Sequence, residues 1–265
     1  MLSSEILEYY RRGGERVRLD AGRGRLEFIR TWDVLTRVLP APPASILDVG
    51  GATGGYAGPL AAAGHSVRLI DPVADHVAVA GELPGVTAEV GDARALAEPD
   101  ASADAVLLLG PLYHLLERAE RLAAWREALR VVRPGGVVVA AVITRLAPLF
   151  DGLVRDYFAD PAYGPLVDRA LRDGVHDSDG ERYFTRAYFH QPEEAAEEAV
   201  AAGLTGVRVV AAEGPMWLAG DGLVEILADA RRTADLLDRM RAVEAEPGIF
   251  GASSHLLVIG RRATP

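Results

Sequence analysis

Residues 45–55 read Ser45-Ile46-Leu47-Asp48-Val49-Gly50-Gly51-Ala52-Thr53-Gly54-Gly55, and this stretch decides the fold. A short apolar run that ends abruptly in glycines is a buried strand running into a tight turn. Glycine at such a turn adopts backbone conformations closed to other residues and lets the chain approach a ligand closely. Residues 55–63 then read as helix, so the stretch predicts strand, glycine turn and helix in that order.

The same alternation continues outward. Strands are predicted over Ser66–Ile70, Thr87–Val90, Asp104–Leu109 and Val137–Val142, and helices over 73–80 and 117–132. The run Ala105-Val106-Leu107-Leu108-Leu109 is apolar at every position, as a strand covered on both faces of a parallel sheet requires. Alternating strands and helices make a doubly wound α/β fold.

Four segments follow. Residues 1–43 form an N-terminal helical lid, with helices predicted over 3–20 and 24–39. Gly22-Arg23-Gly24 separates the two, and Pro40-Ala41-Pro42-Pro43 stops the second. Residues 44–144 are the alternating core. Residues 145–190 break the alternation and are rich in aromatics (Phe150, Tyr157, Phe158, Tyr163, Tyr183, Phe184), which predicts a mostly helical cap over a substrate. Residues 191–265 resume it with helix 192–202, strand 206–212, one long helix 222–243 and strand 255–260. The long helix carries an apolar stripe, Leu223, Ile226, Leu227, Ala230, Ala234, Leu237 and Met240, that suits a core or a homodimer equally.

Composition excludes several chemistries. The chain has 265 residues, 49% hydrophobic and 25% charged, with a formal net charge of −10. No basic stripe offers itself to a phosphate backbone, which argues against nucleic acid and anionic membrane as partners. No run approaches the ~20 apolar residues of a membrane-spanning helix, and Met1-Leu2-Ser3-Ser4-Glu5 does not read as a signal peptide. A cytoplasmic protein is the expectation. There is no cysteine, so disulfides, thiolate metal sites and cysteine nucleophiles are excluded. There is also no lysine, which removes Schiff-base chemistry and the phosphate-binding lysine of nucleotide loops.

Two acidic strand ends flank the glycine turn. Leu69-Ile70-Asp71-Pro72 closes the second strand, with Asp71 placed 21 residues after Gly50. An acidic residue at about that distance accepts hydrogen bonds from ribose hydroxyls. Gly91-Asp92-Ala93 closes the third strand. After the fourth strand comes Leu109-Gly110-Pro111-Leu112-Tyr113-His114-Leu115, and Leu129-Arg130-Val131-Val132-Arg133-Pro134-Gly135-Gly136 leads into the fifth.

In these motifs residues 44–142 resemble the class I (Rossmann-like) S-adenosylmethionine-dependent methyltransferases of the bacterial small-molecule type. That family opens its first motif with an acidic and an apolar residue, then G-x-G-x-G. This chain has Asp48-Val49-Gly50-Gly51-Ala52-Thr53-Gly54, with Ala52 in place of the middle glycine. The resemblance implies S-adenosylmethionine as cofactor and a seven-stranded sheet, mostly parallel with the last strand reversed. It implies that the turn passes over the methionine part of the cofactor. Asp71 and Pro72 then lie at the ribose, His76 at the adenine face, Asp92 and Ala93 at the adenine edge, and Leu109 and Gly110 beside the sulfonium methyl. The segment Tyr9-Tyr10 to Phe28 resembles the lid of the same group, and Arg30 in it is a candidate to fork onto the cofactor carboxylate.

The acceptor side is less defined. A hydroxyl acceptor needs a base, and histidine titrates in the right range. His114 is the first candidate, His190 the second, and Tyr113 and Tyr9 are candidates to line the cavity. No metal is required. The acidic group Asp173, Asp177, Asp179 and Glu181 reads as a solvated turn rather than a cation site. The expected function is methyl transfer to a small molecule at oxygen, nitrogen or carbon. The alternatives are a cofactor-binding member of the fold that does not methylate (a cyclase, regulator or binding subunit) and, more remotely, an NAD-dependent oxidoreductase. The short-chain form of the latter needs a lysine this chain lacks.

Overall fold

The computed structural model describes residues 4–11, 19 and 22–265. Of the first expected helix, 3–20, the stretch Ser4–Arg11 is helical (α1); its remainder lies outside the described residues except for Leu19, which is in a turn. The second helix, α2, runs Gly22–Val38.

Strands β1 (Ser45–Val49), β2 (Ser66–Asp71), β3 (Val86–Val90), β4 (Ala103–Leu108) and β5 (Val132–Ile143) are parallel neighbours. With β8 (Thr205–Ala211) and β9 (His255–Arg261) they make one seven-stranded sheet, in the order β3-β2-β1-β4-β5-β9-β8. The last strand, β9, runs antiparallel to both β5 and β8. This is the doubly wound sheet that the alternation predicts, with the reversed final strand that the resemblance implies.

Strand pleating sorts the side chains between two cores. On one face, Leu47, Val49, Val106, Leu108 and Val138 pack with the helices α5 (Arg118–Val131) and α8 (Pro192–Ala202), through Trp125, Ala128, Ala195 and Ala199. On the other, Ile46, Leu69, Ala105, Leu107 and Val139 pack with Val34 and Leu35 of α2. Leu60 of α3 (Ala57–Ala62) and Ala80 of α4 (Ala74–Ala80) join them. Ala105 to Leu108 are wholly buried, which is why that run contains no polar residue.

Two expectations change. The cap over 145–190 is helical only in part: α6 (Ala147–Val154) and α7 (Tyr163–Asp173) are followed by a hairpin of β6 (Val175–Asp179) and β7 (Thr185–Tyr188). Asp177 pairs there with Arg169 and Arg186. The single helix expected over 222–243 is two, α9 (Asp221–Ala228) and α10 (Ala230–Val243). Asp229 between them is extended, and its carboxylate accepts from the Arg232 amide at 2.9 Å, starting a new helix. Leu223, Leu227 and Met240 of the apolar stripe, with Leu236 beside them, pack with Leu26, Phe150 and Trp217, so part of the stripe is covered within the chain. A short helix, α11 (Pro247–Phe250), precedes β9.

Candidate active site

A cavity of about 320 Å³ opens where β1 stands between β2 and β4. That is the switch point of a doubly wound sheet, where the chain connections diverge and leave a crevice. Three loops form its floor: the turn after β1, the end of β2 and the segment after β4.

The turn after β1 is shaped by close backbone approach. Gly50 has φ +73°, and a Cβ there would lie 2.8 Å from Pro111 Cδ. A Cβ on Gly110 would meet the Gly50 carbonyl oxygen at 2.7 Å. The two loops therefore touch through their glycines. Ala52, at the position of the family's middle glycine, also takes a left-handed conformation, with φ +48°. Gly50, Gly51, Ala52, Thr53 and Gly55 line the cavity. Gly54 stands behind it, its amide donating to the Gly51 carbonyl at 2.9 Å.

Asp71 organises the turn. One carboxylate oxygen accepts from the Ala52 amide at 2.9 Å, and the other from the Val73 amide at 2.9 Å. His76 Nδ1 lies 3.2 Å from that second oxygen. A carboxylate has about four acceptor positions; these groups take three, and the oxygen facing Ala52 keeps one for a hydroxyl. Asp48 is different. It is wholly buried in the cavity wall, and neither oxygen has a hydrogen-bond partner among the described residues. Burial, reinforced by the charge of Asp71, pushes its carboxyl up to about 7. Such a group calls for a donor that arrives from outside.

Asp92 is held by Arg94, which donates its Nε and Nη2 to the two oxygens at 2.9 and 2.6 Å. That hydrogen bonding keeps the carboxyl low, at about 2. Arg94 is itself anchored on Glu120. Asp92, Ala93, Pro72, His76, Leu109 and Gly110 all line the cavity.

Tyr113 and His114, in a short turn after β4, also line the cavity. The His114 ring is buried, and burial brings it down to about 4, so it is neutral near pH 7. Its Nδ1 is 3.4 Å from the Arg186 carbonyl oxygen of β7, and its Nε2 is 2.6 Å from the Tyr10 hydroxyl.

Besides Gly54, three predicted residues do not line the cavity. Arg30 is wholly buried and turned away from the cavity: it donates to Asp33 at 2.6 Å, Glu244 at 2.8 Å and the Ala212 carbonyl at 3.0 Å. Its fork is thus occupied by carboxylates of the chain. His190 is also wholly buried, bridged to Thr144 beside β5, with Nε2 3.4 Å from Glu198. It does not line the cavity. Tyr9 packs edge-on against Phe184 outside the cavity, and its neighbour Tyr10 faces inward. Two adjacent tyrosines on a helix point about 100° apart, and sequence alone does not say which turns inward. Arg25 and Phe28 of α2 also line the cavity and were missed; the sequence signal was one basic residue one and a half turns before Arg30.

Residues 46–136 match the model of a methyltransferase domain. A 2-methyl-6-phytyl-1,4-hydroquinone methyltransferase from Synechocystis is 36% identical over 152 residues, which is 51% of this chain and 46% of that protein. The chain thus spans about half the length of this curated relative. Among solved structures, a methyltransferase from Thermotoga maritima, described as a possible histamine N-methyltransferase, is 16% identical. It covers 98% of this chain and 100% of its own, with a TM-score of 0.59. The (4+2)-cyclase SpnF is 19% identical, covering 93% of this chain and 85% of its own with a TM-score of 0.57. These structural likenesses show a common fold. The match to the methyltransferase domain runs through the glycine turn and both acidic strand ends, on this strand order, so residues 46–136 are similar to the core of an S-adenosylmethionine-dependent methyltransferase.

Proposed function

We propose that the protein transfers a methyl group from S-adenosylmethionine to a small-molecule acceptor that meets the cofactor beside His114. One observation carries this reading: a single cavity joins three carboxylates, Asp48, Asp71 and Asp92, to the buried imidazole of His114. The residues fit the cofactor. The unpartnered oxygens of Asp48 suit its ammonium, Asp71 its ribose hydroxyls and Asp92 its adenine amine, with the Ala93 amide at the ring edge. Arg25, rather than Arg30, is the guanidinium placed to face its carboxylate.

Bound there, the sulfonium supplies an electrophilic methyl group. The chain's part is to align the acceptor and exclude water. Tyr113, Leu115 and Tyr10 form an apolar wall, and His114 presents a neutral nitrogen to a proton that must leave. The Synechocystis relative, named for a quinol acceptor, supports a small molecule as substrate.

The test is calorimetric titration with S-adenosylmethionine and S-adenosylhomocysteine, with NAD as control, followed by an assay of S-adenosylhomocysteine release over an acceptor panel. Micromolar binding of both adenosyl ligands is expected. Asp71→Ala is expected to weaken it by roughly 1.5–3 kcal/mol through loss of a charged acceptor. NAD binding alone would overturn the proposal. Cofactor binding with no release on any acceptor would turn it toward a non-methylating member of the fold.

A further inference from the structure

The acceptor end of the cavity already holds a phenol, one of the chain's own. Tyr10, from the eight-residue helix α1, places its hydroxyl 2.6 Å from His114 Nε2. Its ring stands edge-on to His114, with centroids 5.3 Å apart, and edge-on to His76 at 5.6 Å. Phe184 and Tyr113 flank His114 on its other sides, at 5.8 and 4.7 Å. The surroundings are therefore those of a flat aromatic ring with one hydroxyl aimed at one nitrogen. Edge-to-face contacts of this kind favour an aromatic guest over an aliphatic one of equal area.

The direction of the hydrogen bond follows from the other nitrogen. Nδ1 faces a backbone carbonyl, which only accepts, so Nδ1 carries the proton and Nε2 receives the Tyr10 hydroxyl. The acceptor nitrogen is thus set by the frame, between the end of β4 and β7. The phenol on it is not: among the described side chains of α1, only Ile6 is buried.

We propose that the acceptor is a phenol, held by its hydroxyl on His114 Nε2 in the place Tyr10 takes in this structure. Tyr10 is then an internal stand-in that closes the site until a phenol displaces it. This rests on the methyl-transfer reading above and adds to it the class of acceptor. As the phenolic oxygen bonds to the methyl carbon, the bond from that carbon to sulfur breaks, its electron pair remaining on sulfur. The phenolic proton passes to His114 Nε2 and from there to solvent. The products are an aryl methyl ether and the neutral thioether of the cofactor.

The test uses the full chain saturated with S-adenosylhomocysteine and three probes of one shape: p-cresol, toluene and p-toluidine. In Tyr10→Ala every probe is spared the displacement of the phenol, and p-cresol is expected to bind about tenfold more tightly than toluene, the worth of one buried hydrogen bond. It is also expected to bind more tightly than p-toluidine, whose amine is the weaker donor. Nitrogen resonances of the His114 ring give a second readout. Tyr10→Phe is expected to shift the Nε2 signal, and p-cresol added to Tyr10→Ala to restore it. Equal affinity of Tyr10→Ala for toluene or p-toluidine and for p-cresol, or a His114 signal indifferent to p-cresol, would overturn the assignment. Release of S-adenosylhomocysteine with amines but not phenols would sink it and leave methyl transfer standing. Failure of S-adenosylhomocysteine to bind at all brings down both.

Discussion

Asp48 is a carboxylate buried without a hydrogen-bond partner among the described residues, and its position has a cost that depends on pH. Its folded-state carboxyl sits near 7, above the 3.8 of a free side chain, because of burial and of Asp71. The folded state therefore holds more protons than the unfolded state between about pH 4 and 7. Stability from this group is present at low pH and is lost as pH rises through that window. Asp48→Asn, which cannot ionise, is expected to gain stability over the unsubstituted protein at pH 8 relative to pH 5 in urea unfolding. A constant difference between the two pH values would reject this account. His114 runs the other way: its folded value near 4 lies below the free 6.5, so its contribution is lost as pH falls from about 6.5 to 4. Ala52 makes a second prediction at this scale. A left-handed alanine costs roughly 1–2 kcal/mol, and glycine gives back about 0.4–1 kcal/mol of that to the unfolded chain. Ala52→Gly is expected to stabilise by about 0.5 kcal/mol, seen as a small rise in Tm; a lower Tm would show the conformation to be unstrained.

At the scale of elements, one buried pair ties α5 and α8 to the loop after β4 that lines the cavity. Arg121 donates Nε and Nη2 to Glu198 at 2.9 and 2.8 Å, and Nη1 to the Leu115 and Leu116 carbonyls at 2.9 and 2.7 Å. Tyr188 of the cap hairpin covers the guanidinium, 3.8 Å from its ring centroid. His190, expected to act on substrate, leans on the same Glu198. Removing one partner of a buried pair leaves an uncompensated charge and costs roughly 3–5 kcal/mol, whereas replacing both with apolar residues is often neutral. Arg121→Met should therefore be strongly destabilised, and Arg121→Met with Glu198→Leu should recover most of the loss in the same denaturation experiment. If the double variant is no better than the single one, the Leu115 and Leu116 carbonyls are the larger debt.

Across the whole molecule, the N-terminal and C-terminal segments are joined by charge. Arg30 and Arg37 of α2 and Arg241 of α10 converge on Asp33 and Glu244. Burial pushes Asp33 up, but the hydrogen bond from Arg241 and the charges of Arg37 and Arg30 outweigh it and hold the carboxyl low. For Glu244, burial is likewise overcome by hydrogen bonds from Arg37 and Arg30. Depressed carboxyls stabilise above their unfolded values and lose that contribution as pH falls through the folded ones. Stability is expected to drop below about pH 4.5, the region where free carboxyls protonate. Glu244→Gln is expected to be less stable at neutral pH and to show a shallower acid slope. An unchanged slope would assign acid sensitivity to other carboxylates.

The sequence by itself determined the layered fold and which loop residues after β1, β2 and β3 line the cavity. Strand burial leaves a local mark, as in Ala105 to Leu108, and so does a glycine turn followed at fixed spacing by Asp71. Both are short-range patterns that survive in one dimension. Tertiary structure alone decided which arginine and which tyrosine face the cavity. Arg25 and Arg30 share a helix, as do Tyr9 and Tyr10, and their local propensities are alike. What separates them is the surface each meets, Glu244 for Arg30 and His114 for Tyr10, residues more than a hundred positions away in the chain.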